Sequence, residues 1–220
     1  MKVLFEDKFI IIVEKPANVL SEPGPGGEDI VTLASNHVCK PCYLVHRLDR
    51  NTGGAMVLSK MQKATGKLSE EIQKREFEKE YIAVIKGVPE EPEGVFEDLL
   101  FKDSQKNKTF VVKRERKGVK FASLEYKVLG TIEHAEHGKI SLVLIKLHTG
   151  RTHQVRVQFA SRKMPLLGDG KYGSRDNHCE TALWSRRLAF RHPITGEKIE
   201  AVSMPPAEYP WNLFDIANII

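Results

Sequence analysis

The chain has 220 residues, of which 41% are hydrophobic and 29% are charged, a composition that excludes an intrinsically disordered protein. A chain of this length can bury a sizeable core without disulfides or structural metals. Its longest apolar run, Phe9–Val13, is too short to span a membrane, and no secretory signal precedes it. Three cysteines do not form a disulfide framework, so we expect a cytoplasmic protein that does not associate with membranes.

The net charge of +5 is concentrated in one segment. Residues 102–120 contain eight basic and two acidic residues, a net charge of +6, whereas the rest of the chain sums to −1. A concentrated basic patch that also contains an aromatic residue, Phe110, is typical of a surface that contacts RNA or DNA phosphates. A solvated hairpin tip that lysines keep soluble explains the same pattern equally well.

The N-terminal third alternates strands with two helices. Apolar runs and turn residues predict strands at Lys2–Phe5, Phe9–Glu14, Tyr43–Leu48 and Ala55–Leu58, the last two flanking a turn at 51–54. Asp29 is a helix cap for a short helix that runs to about Asn36. Apolar residues spaced by three and four predict an amphipathic helix over residues 60–75.

Strands dominate the rest of the chain. They are predicted at Tyr81–Ile85, near 94–101, 109–113, 119–129 and 139–148, and in a final hairpin of Arg187–Phe190 and Ile199–Val202. A helix follows the turn Thr149-Gly150 and begins near Thr152. Because strict alternation of strands and helices is absent, we predict an α+β fold with a mixed, largely antiparallel sheet. No linker divides the chain, so we expect a single domain over residues 1–220.

The string HRLDRNTGG at residues 46–54 brings a carboxylate into a glycine-rich turn. Asp49 ends an apolar stretch, and the neighbouring Arg47 and Arg50 favour its ionised form. An ionised carboxylate at a strand end suits a nucleophile or a general base. Asp49 could instead hydrogen-bond the backbone of the turn, with both arginines solvated, and local chemistry alone favours that second interpretation.

The string TGRTHQVR at residues 149–156 places two arginines around the start of the predicted helix. With a start at Thr152, Arg151 and Arg156 lie on different faces, so one of them could bind a phosphate near the helix N-terminus. Val155 and Phe159 are four residues apart and would form the buried side. A capped surface helix with ordinary arginines is the alternative.

Tyr81 and a cysteine pair complete the candidates. Tyr81 begins an apolar strand, where a ring usually belongs to the core, but beside an active carboxylate it could stack on a base. Cys39 and Cys42 are three positions apart and could bind zinc with nearby histidines or form a redox pair. Because no second pair completes such a site, we predict no metal.

Four strings, in the same order along the chain, resemble the RluA family of pseudouridine synthases. They are the opening strands with Lys15-Pro16, HRLDRNTGG, KEYIAVIKG at 79–87, and TGRTHQVRV with Gly168-Asp169 and Tyr172-Gly173. The resemblance covers about residues 3 to 206, and its second and fourth strings are highly specific. It implies a single α+β catalytic domain with flanking helices and a central cleft.

The resemblance also implies roles for individual residues. Asp49 is similar to the catalytic aspartate, Tyr81 to the tyrosine that stacks on the target base, and Arg156 to the arginine that pairs with the aspartate. Arg47 resembles the arginine that inserts where the target nucleotide has left its stack. Arg151 is a candidate substrate contact.

The implied activity is the isomerisation of specific uridines in ribosomal or transfer RNA to pseudouridine. The C1′–N1 bond must break and a C1′–C5 bond must form. A carboxylate can attack C1′ or abstract the 2′ proton to give a glycal, and the sequence leaves both routes open. An isomerisation needs no metal, nucleotide or redox cofactor, so we expect none, and no obligate protein partner is evident.

RNA affinity is expected to come from the catalytic domain itself. Many relatives carry an N-terminal S4-type RNA-binding domain, and we expect this chain to lack one. Lys113, Arg114 and Arg116 are therefore the candidate phosphate contacts. Their segment lies between apolar stretches Val95–Phe101 and Phe121–Leu129, which predicts a hairpin with an extended tip.

The chain departs from the family pattern at three places. They are Gly53 in place of Ser, Gln158-Phe159 in place of His-Met or similar, and Trp184-Ser185 in place of His-Ala. None removes a proposed catalytic group, so we expect them to alter local RNA contacts only. Two other classes stay open: a non-catalytic RNA-binding protein on this fold, and a metal-dependent nucleic-acid enzyme that uses Cys39, Cys42 and histidines.

Overall fold

A computed structural model describes residues 1–219, and their contacts divide the chain into two compact units. The first unit comprises residues 1–80 and 184–205, and the second comprises residues 81–183 and the C-terminal segment from Pro206. The first contains β1 (Lys2–Glu6), β2 (Ile10–Lys15), α1 (Ile30–Val38), β3 (Tyr43–Leu44), β4 (Gly53–Ser59), α2 (Gln62–Gln73), β10 (Leu183–Arg191, from Trp184 on) and β11 (Lys198–Val202). The second contains β5 (Glu78–Lys86, from Tyr81 on), β6 (Glu93–Asp103), β7 (Lys108–Val112), β8 (Val119–His134), β9 (Gly138–Leu147), α3 (Gln154–Ser161) and α4 (Ile216–Ile219).

The first unit is built on a mixed sheet. β2 pairs antiparallel with β1 and β4, whereas β10 pairs parallel with β4 and antiparallel with β11. The run Ile10–Val13 is continuous rather than alternating and is fully buried, as expected of a strand covered on both faces. α2 contributes Leu68 to the core cluster on one face, beside Phe77 and Phe190. Asp29 caps α1 as predicted, because its carboxylate accepts from the Thr32 amide at 2.8 Å.

The strand predicted at Tyr43–Leu48 was too long. β3 pairs with β4 only through Tyr43 and Leu44, and the edge of β4 then meets a side chain instead of a strand. The His46 imidazole accepts from the Val57 amide at 3.2 Å and so takes the place of a backbone partner. The turn predicted at 51–54 is also shorter, since β4 already begins at Gly53.

The second unit contains an antiparallel sheet in which β6 lies between β7 and β8 and β9 follows β8. β5 lies beside β9. α3 lies against β6 and β7. Val155 and Phe159 are buried as predicted, but every residue from Gln154 to Phe159 is buried, so the alternative of a surface helix is wrong.

The basic segment is not a hairpin with an extended tip. β6 pairs with β7 on one edge and with β8 on the other, and both pairings are antiparallel. The connection over residues 113–118 therefore crosses β6, and the guanidinium of Arg116 lies 4.5 Å from the centre of the Phe101 ring. Lys113 and Arg114 on this crossover are exposed.

The predicted fold class is confirmed: the sheets are mixed and largely antiparallel, and the described residues add four α-helices. Within residues 1–219 no helix is long and apolar enough to cross a bilayer.

Candidate active site

The turn that carries Asp49 is held by hydrogen bonds on both sides of that residue. The Ser21 hydroxyl accepts from the Leu48 amide at 3.0 Å and donates to the Leu48 carbonyl at 2.6 Å. The Thr52 amide donates to the Asp49 carbonyl at 3.0 Å. These contacts fix the backbone of a half-buried carboxylate, which is the first requirement for a positioned catalytic group.

Lys15 supports the same turn from inside the protein. Its ammonium is fully buried and donates to the carbonyls of Pro16, Val19 and Arg50, at 2.9, 2.7 and 3.1 Å. Burial lowers the pKa of Lys15 to about 8, and the nearby charge of Asp49 acts in the opposite direction. Sequence reasoning gave Lys15 no role, although a lysine two residues after the apolar run Ile10–Val13 was a usable signal.

His46 is a structural residue of the turn. Its side chain is buried beside the Phe77 ring, with ring centres 5.7 Å apart. Burial lowers its pKa to about 3, with a smaller contribution from the charge of Lys79. The imidazole is therefore neutral near pH 7, which leaves Nε2 able to accept from the Val57 amide.

The two arginines of the string face outwards. Arg47 is more than half exposed and pairs with Glu22, which precedes the loop of residues 23–27. Arg50 is exposed and donates to the Asn18 carbonyl at 3.2 Å. Arg47 is thus accessible to a macromolecular substrate.

Two departures from the family pattern are in contact. A Cβ atom added at Gly53 would lie 2.2 Å from Cζ3 of Trp184, so this ring fills the space beside the start of β4. Trp184 is 8% exposed, and its Nε1 donates to the carbonyl and hydroxyl oxygens of Ser203, each at 3.1 Å. Gly54 has a φ of +113° and lies against the Ser185 backbone, so glycine is required there as well.

The remaining candidates lie in the second unit. Tyr81 is 6% exposed at the start of a stretch that is buried through Ile85, so burial does not distinguish the two faces of this strand. Arg156 is 6% exposed on α3 and donates to both carboxylate oxygens of Asp169, from Nε at 2.7 Å and from Nη2 at 2.8 Å. A bidentate pair of this kind fixes the plane of the guanidinium.

Tyr172 completes the surroundings of Arg156. Its ring centre lies 5.2 Å from the guanidinium carbon, a cation–π distance. Its hydroxyl accepts from the Thr109 amide at 2.9 Å and lies 2.9 Å from Nδ1 of His153. Asp169 and Tyr172 had no predicted role, although both belong to a string that matched the family.

The TGRTHQ string is fixed to β8. Gln154 accepts from the Thr149 hydroxyl and the Arg151 amide, at 2.8 and 3.0 Å, and donates to the Ser123 carbonyl at 3.1 Å. Arg151 is half-buried, and its Nε donates to the Phe121 carbonyl at 2.9 Å. This string is therefore a framework that holds the start of α3.

Gln158 does not lie on the surface, where our expectation of an altered RNA contact would place it. It is fully buried, and its amide donates to the Phe96 carbonyl at 3.1 Å and to Asp98 at 2.8 Å. The residue connects α3 to β6 and is part of the core. No group of three His, Cys, Asp or Glu residues within the described part of the chain could hold a metal ion.

Comparison with known sequences decides the family. The profile of a family described as RNA pseudouridylate synthase matches residues 9–161. The chain belongs to this family. An RNA pseudouridine synthase of Aquifex aeolicus, itself described as uncharacterised, is 33% identical over 235 residues, which cover 96% of this chain and 72% of that protein. Ribosomal large subunit pseudouridine synthase D of Vibrio cholerae is 33% identical, with 91% of this chain and 66% of that protein covered.

Solved structures support the fold. Human RNA pseudouridylate synthase domain containing 1 matches with a TM-score of 0.81 at 21% identity, over 96% of this chain and 85% of that one. Human RNA pseudouridylate synthase domain containing 4 matches with a TM-score of 0.74 at 24% identity, over 93% of this chain and 88% of that one. The resemblance to RluA-type enzymes is thus confirmed, and the protein is an RNA pseudouridine synthase, an isomerase that acts on RNA.

Proposed function

We propose that the enzyme isomerises specific uridines in structured ribosomal or transfer RNA, with Asp49 as the catalytic carboxylate. The observation that supports Asp49 most strongly is the fixed turn around it. Ser21, Thr52 and the buried ammonium of Lys15 all bind backbone atoms of residues 48–50. A side chain that only capped a surface turn would not need this support.

The reaction exchanges one bond at C1′ for another. In one route the Asp49 carboxylate attacks C1′ and the C1′–N1 bond breaks, which leaves uracil with the bonding electron pair on N1. After the ring turns, C5 attacks C1′, the carboxylate leaves, C5 loses its proton and N1 gains one. In the other route Asp49 removes the 2′ proton while the C1′–N1 bond breaks, which gives a glycal and leaves the bonding electron pair on N1 of uracil. After the ring turns, C5 adds to C1′ as the proton returns to C2′, C5 loses its proton and N1 gains one. Atoms and electrons balance in both routes without a cofactor.

Tyr81 and Arg156 are the other proposed catalytic residues. Tyr81 is the platform on which the detached uracil stacks, a contact that holds the ring while it turns in its own plane. Arg156 is the proposed cation of the site. Its bidentate pair with Asp169 holds the guanidinium in one orientation. The ion pair of Arg156 with Asp49 stays a prediction.

Cationic side chains are proposed to bind the RNA. Arg47 inserts into the space that the target uridine leaves, and its exposure supports access to RNA. Arg151, Lys113, Arg114 and Arg116 contact phosphates, and the exposure of Lys113 and Arg114 agrees with that role. We further propose that residues 1–220 act as one catalytic domain in the cytoplasm.

Asp49→Asn tests the proposal. Unmodified ribosomal and transfer RNAs are incubated with the enzyme, and pseudouridines are mapped at single-nucleotide resolution. We expect product with the wild type, no product with Asp49→Asn, and similar RNA affinity for both, because the amide keeps the shape but cannot act as nucleophile or base. Asp215→Asn, an exposed carboxylate with the same charge change, is the control and is expected to stay active.

The possible outcomes separate the alternatives. Normal turnover by Asp49→Asn would refute the role of Asp49. RNA binding by the wild type without any product on these RNAs would favour the non-catalytic RNA-binding protein that the sequence left open.

A further inference from the structure

An aromatic surface of the second unit has no part in the proposed chemistry. The pairing of β7, β6 and β8 places six side chains on one face in two rows, Phe110–Phe101–Val119 and Val112–Leu99–Phe121. Residues directly opposite one another in antiparallel strands share a face, as do residues two apart along a strand. We call this surface the β6 outer face.

The β6 outer face is open to solvent at Phe110 and Phe121, whereas Phe101 is partly covered by Arg116 of the crossover. The opposite face of the same strands is covered, since Leu100 and Ala122 form a core cluster with Val157 of α3. An antiparallel sheet with one covered face normally carries polar residues on the other. Here Phe110 is 36% and Phe121 is 43% exposed, and apolar side chains gathered in this way mark an interaction surface.

Positive charges border these rings. The crossover of residues 113–118 passes over β6 with Arg116 on the Phe101 ring, and it contains four basic residues and one acidic residue. At the β8 side, Arg151 donates to the Phe121 carbonyl. Exposed rings among cations are the combination that binds unpaired nucleic acid, because bases stack on rings while cations follow the backbone.

We propose that the β6 outer face binds unpaired nucleotides of the substrate RNA, with bases stacked on Phe110 and Phe121 and phosphates at the crossover cations. The inference rests on the proposed function, because it takes the substrate to be a structured RNA with unpaired segments. A protein partner or a second copy of the chain would use the apolar surface but would have no need of the surrounding cations.

The test separates ring stacking from phosphate contact. Fluorescence anisotropy measures the affinity for a short labelled oligouridylate and for a duplex RNA of the same length, at several salt concentrations. The stacking variant is Phe110→Leu with Phe121→Leu, which keeps apolar side chains at both positions but removes the rings. The charge variant is Lys113→Glu with Arg114→Glu, and Arg116 is left intact because it packs on Phe101. Ile194→Ala, 37% exposed in the first unit, is the control.

The stacking variant is expected to lose at least about tenfold in affinity for the single strand, since each stacked base contributes about 1–3 kcal/mol. Its duplex affinity and its salt dependence should match the wild type. The charge variant should weaken both RNAs and flatten the salt dependence. Tryptophan at both phenylalanine positions should restore binding to the single strand.

Two results would overturn the proposal: wild-type affinity of the stacking variant for the single strand, or a wild-type dimer that this variant dissociates in sedimentation experiments. The second result would identify the face as a contact between copies of the chain. A failure of the proposed activity can be distinguished from a failure of this inference, because the affinities are measured on RNAs that need not be converted to product.

Discussion

The contact between Gly53 and Trp184 predicts that these two positions are energetically coupled. A side chain at 53 would place its Cβ 2.2, 2.8 and 2.9 Å from three carbons of the Trp184 ring. Carbon atoms pack at about 3.5–4.0 Å, so the ring would have to move by more than an ångström. The ring is not free to do so, because its Nε1 is bound to Ser203, whose hydroxyl donates to Glu14 at 2.8 Å.

The magnitudes follow from these contacts. Gly53→Ser should destabilise the fold by about 2–4 kcal/mol, the sum of an overpacking cost of about 1–3 kcal/mol and one hydrogen bond of about 1 kcal/mol. Trp184→His should cost about 2–4 kcal/mol because a buried ring is replaced by a smaller one. In the double variant the serine side chain occupies space that the indole vacates. The two changes together should therefore cost at least about 1 kcal/mol less than their sum.

Urea denaturation of the wild type, both single variants and the double variant measures this coupling. Equal slopes of the free energy of unfolding against urea are required for the comparison. The reasoning is refuted if the two costs add to within about 0.5 kcal/mol, the agreement expected of independent sites. Val95→Ala, at a half-exposed position of the second unit, paired with Trp184→His serves as the additive control.

Two further predictions concern a proposed catalytic side chain and a structural side chain. Tyr81→Phe should fold and bind RNA but turn over more slowly, whereas Tyr81→Leu should be slower still; equal single-turnover rates for wild type and Tyr81→Phe would mean that only the ring matters. His46 has a pKa of about 3 when folded and an ordinary value near 6.5 when unfolded, so below pH 6.5 the unfolded chain binds a proton that the folded one does not. The free energy of unfolding should fall by about 2 kcal/mol between pH 6.5 and pH 5 through this residue, and urea titrations should show a smaller fall for His46→Gln; the same fall in both proteins would contradict the assignment.

Local signals predicted the elements that depend on local chemistry. Asp29 was recognised as a cap because a carboxylate before an apolar run can accept from the first helical amides, and it does so at 2.8 Å. The amphipathic period over residues 60–75 identified α2, with Leu68 buried at its centre. Elements of this kind are specified within a few residues of sequence.

Pairing between distant segments produced the errors. The sequence between β7 and β8 could not show that β6 lies between these strands, so the crossover of residues 113–118 was mistaken for the tip of a hairpin. The strand at Tyr43 ends early because a side chain, His46, satisfies the next amide of β4. A buried polar atom needs one partner, and sequence patterns do not reveal whether backbone or side chain supplies it.

The same distinction applies to the candidate site. The chemistry of the Asp49 turn can be read from one short string, because a carboxylate, two arginines and two glycines are adjacent in sequence. The rigidity of this turn cannot be read from the string, because Ser21 and Lys15 bind the turn from positions 27 and 35 residues away in sequence. Neither residue type indicates such a role by itself. The buried ammonium of Lys15 is stabilised because it donates to three backbone carbonyls at once. The motif therefore locates the proposed reacting group, and the fold alone explains why that group is held in place.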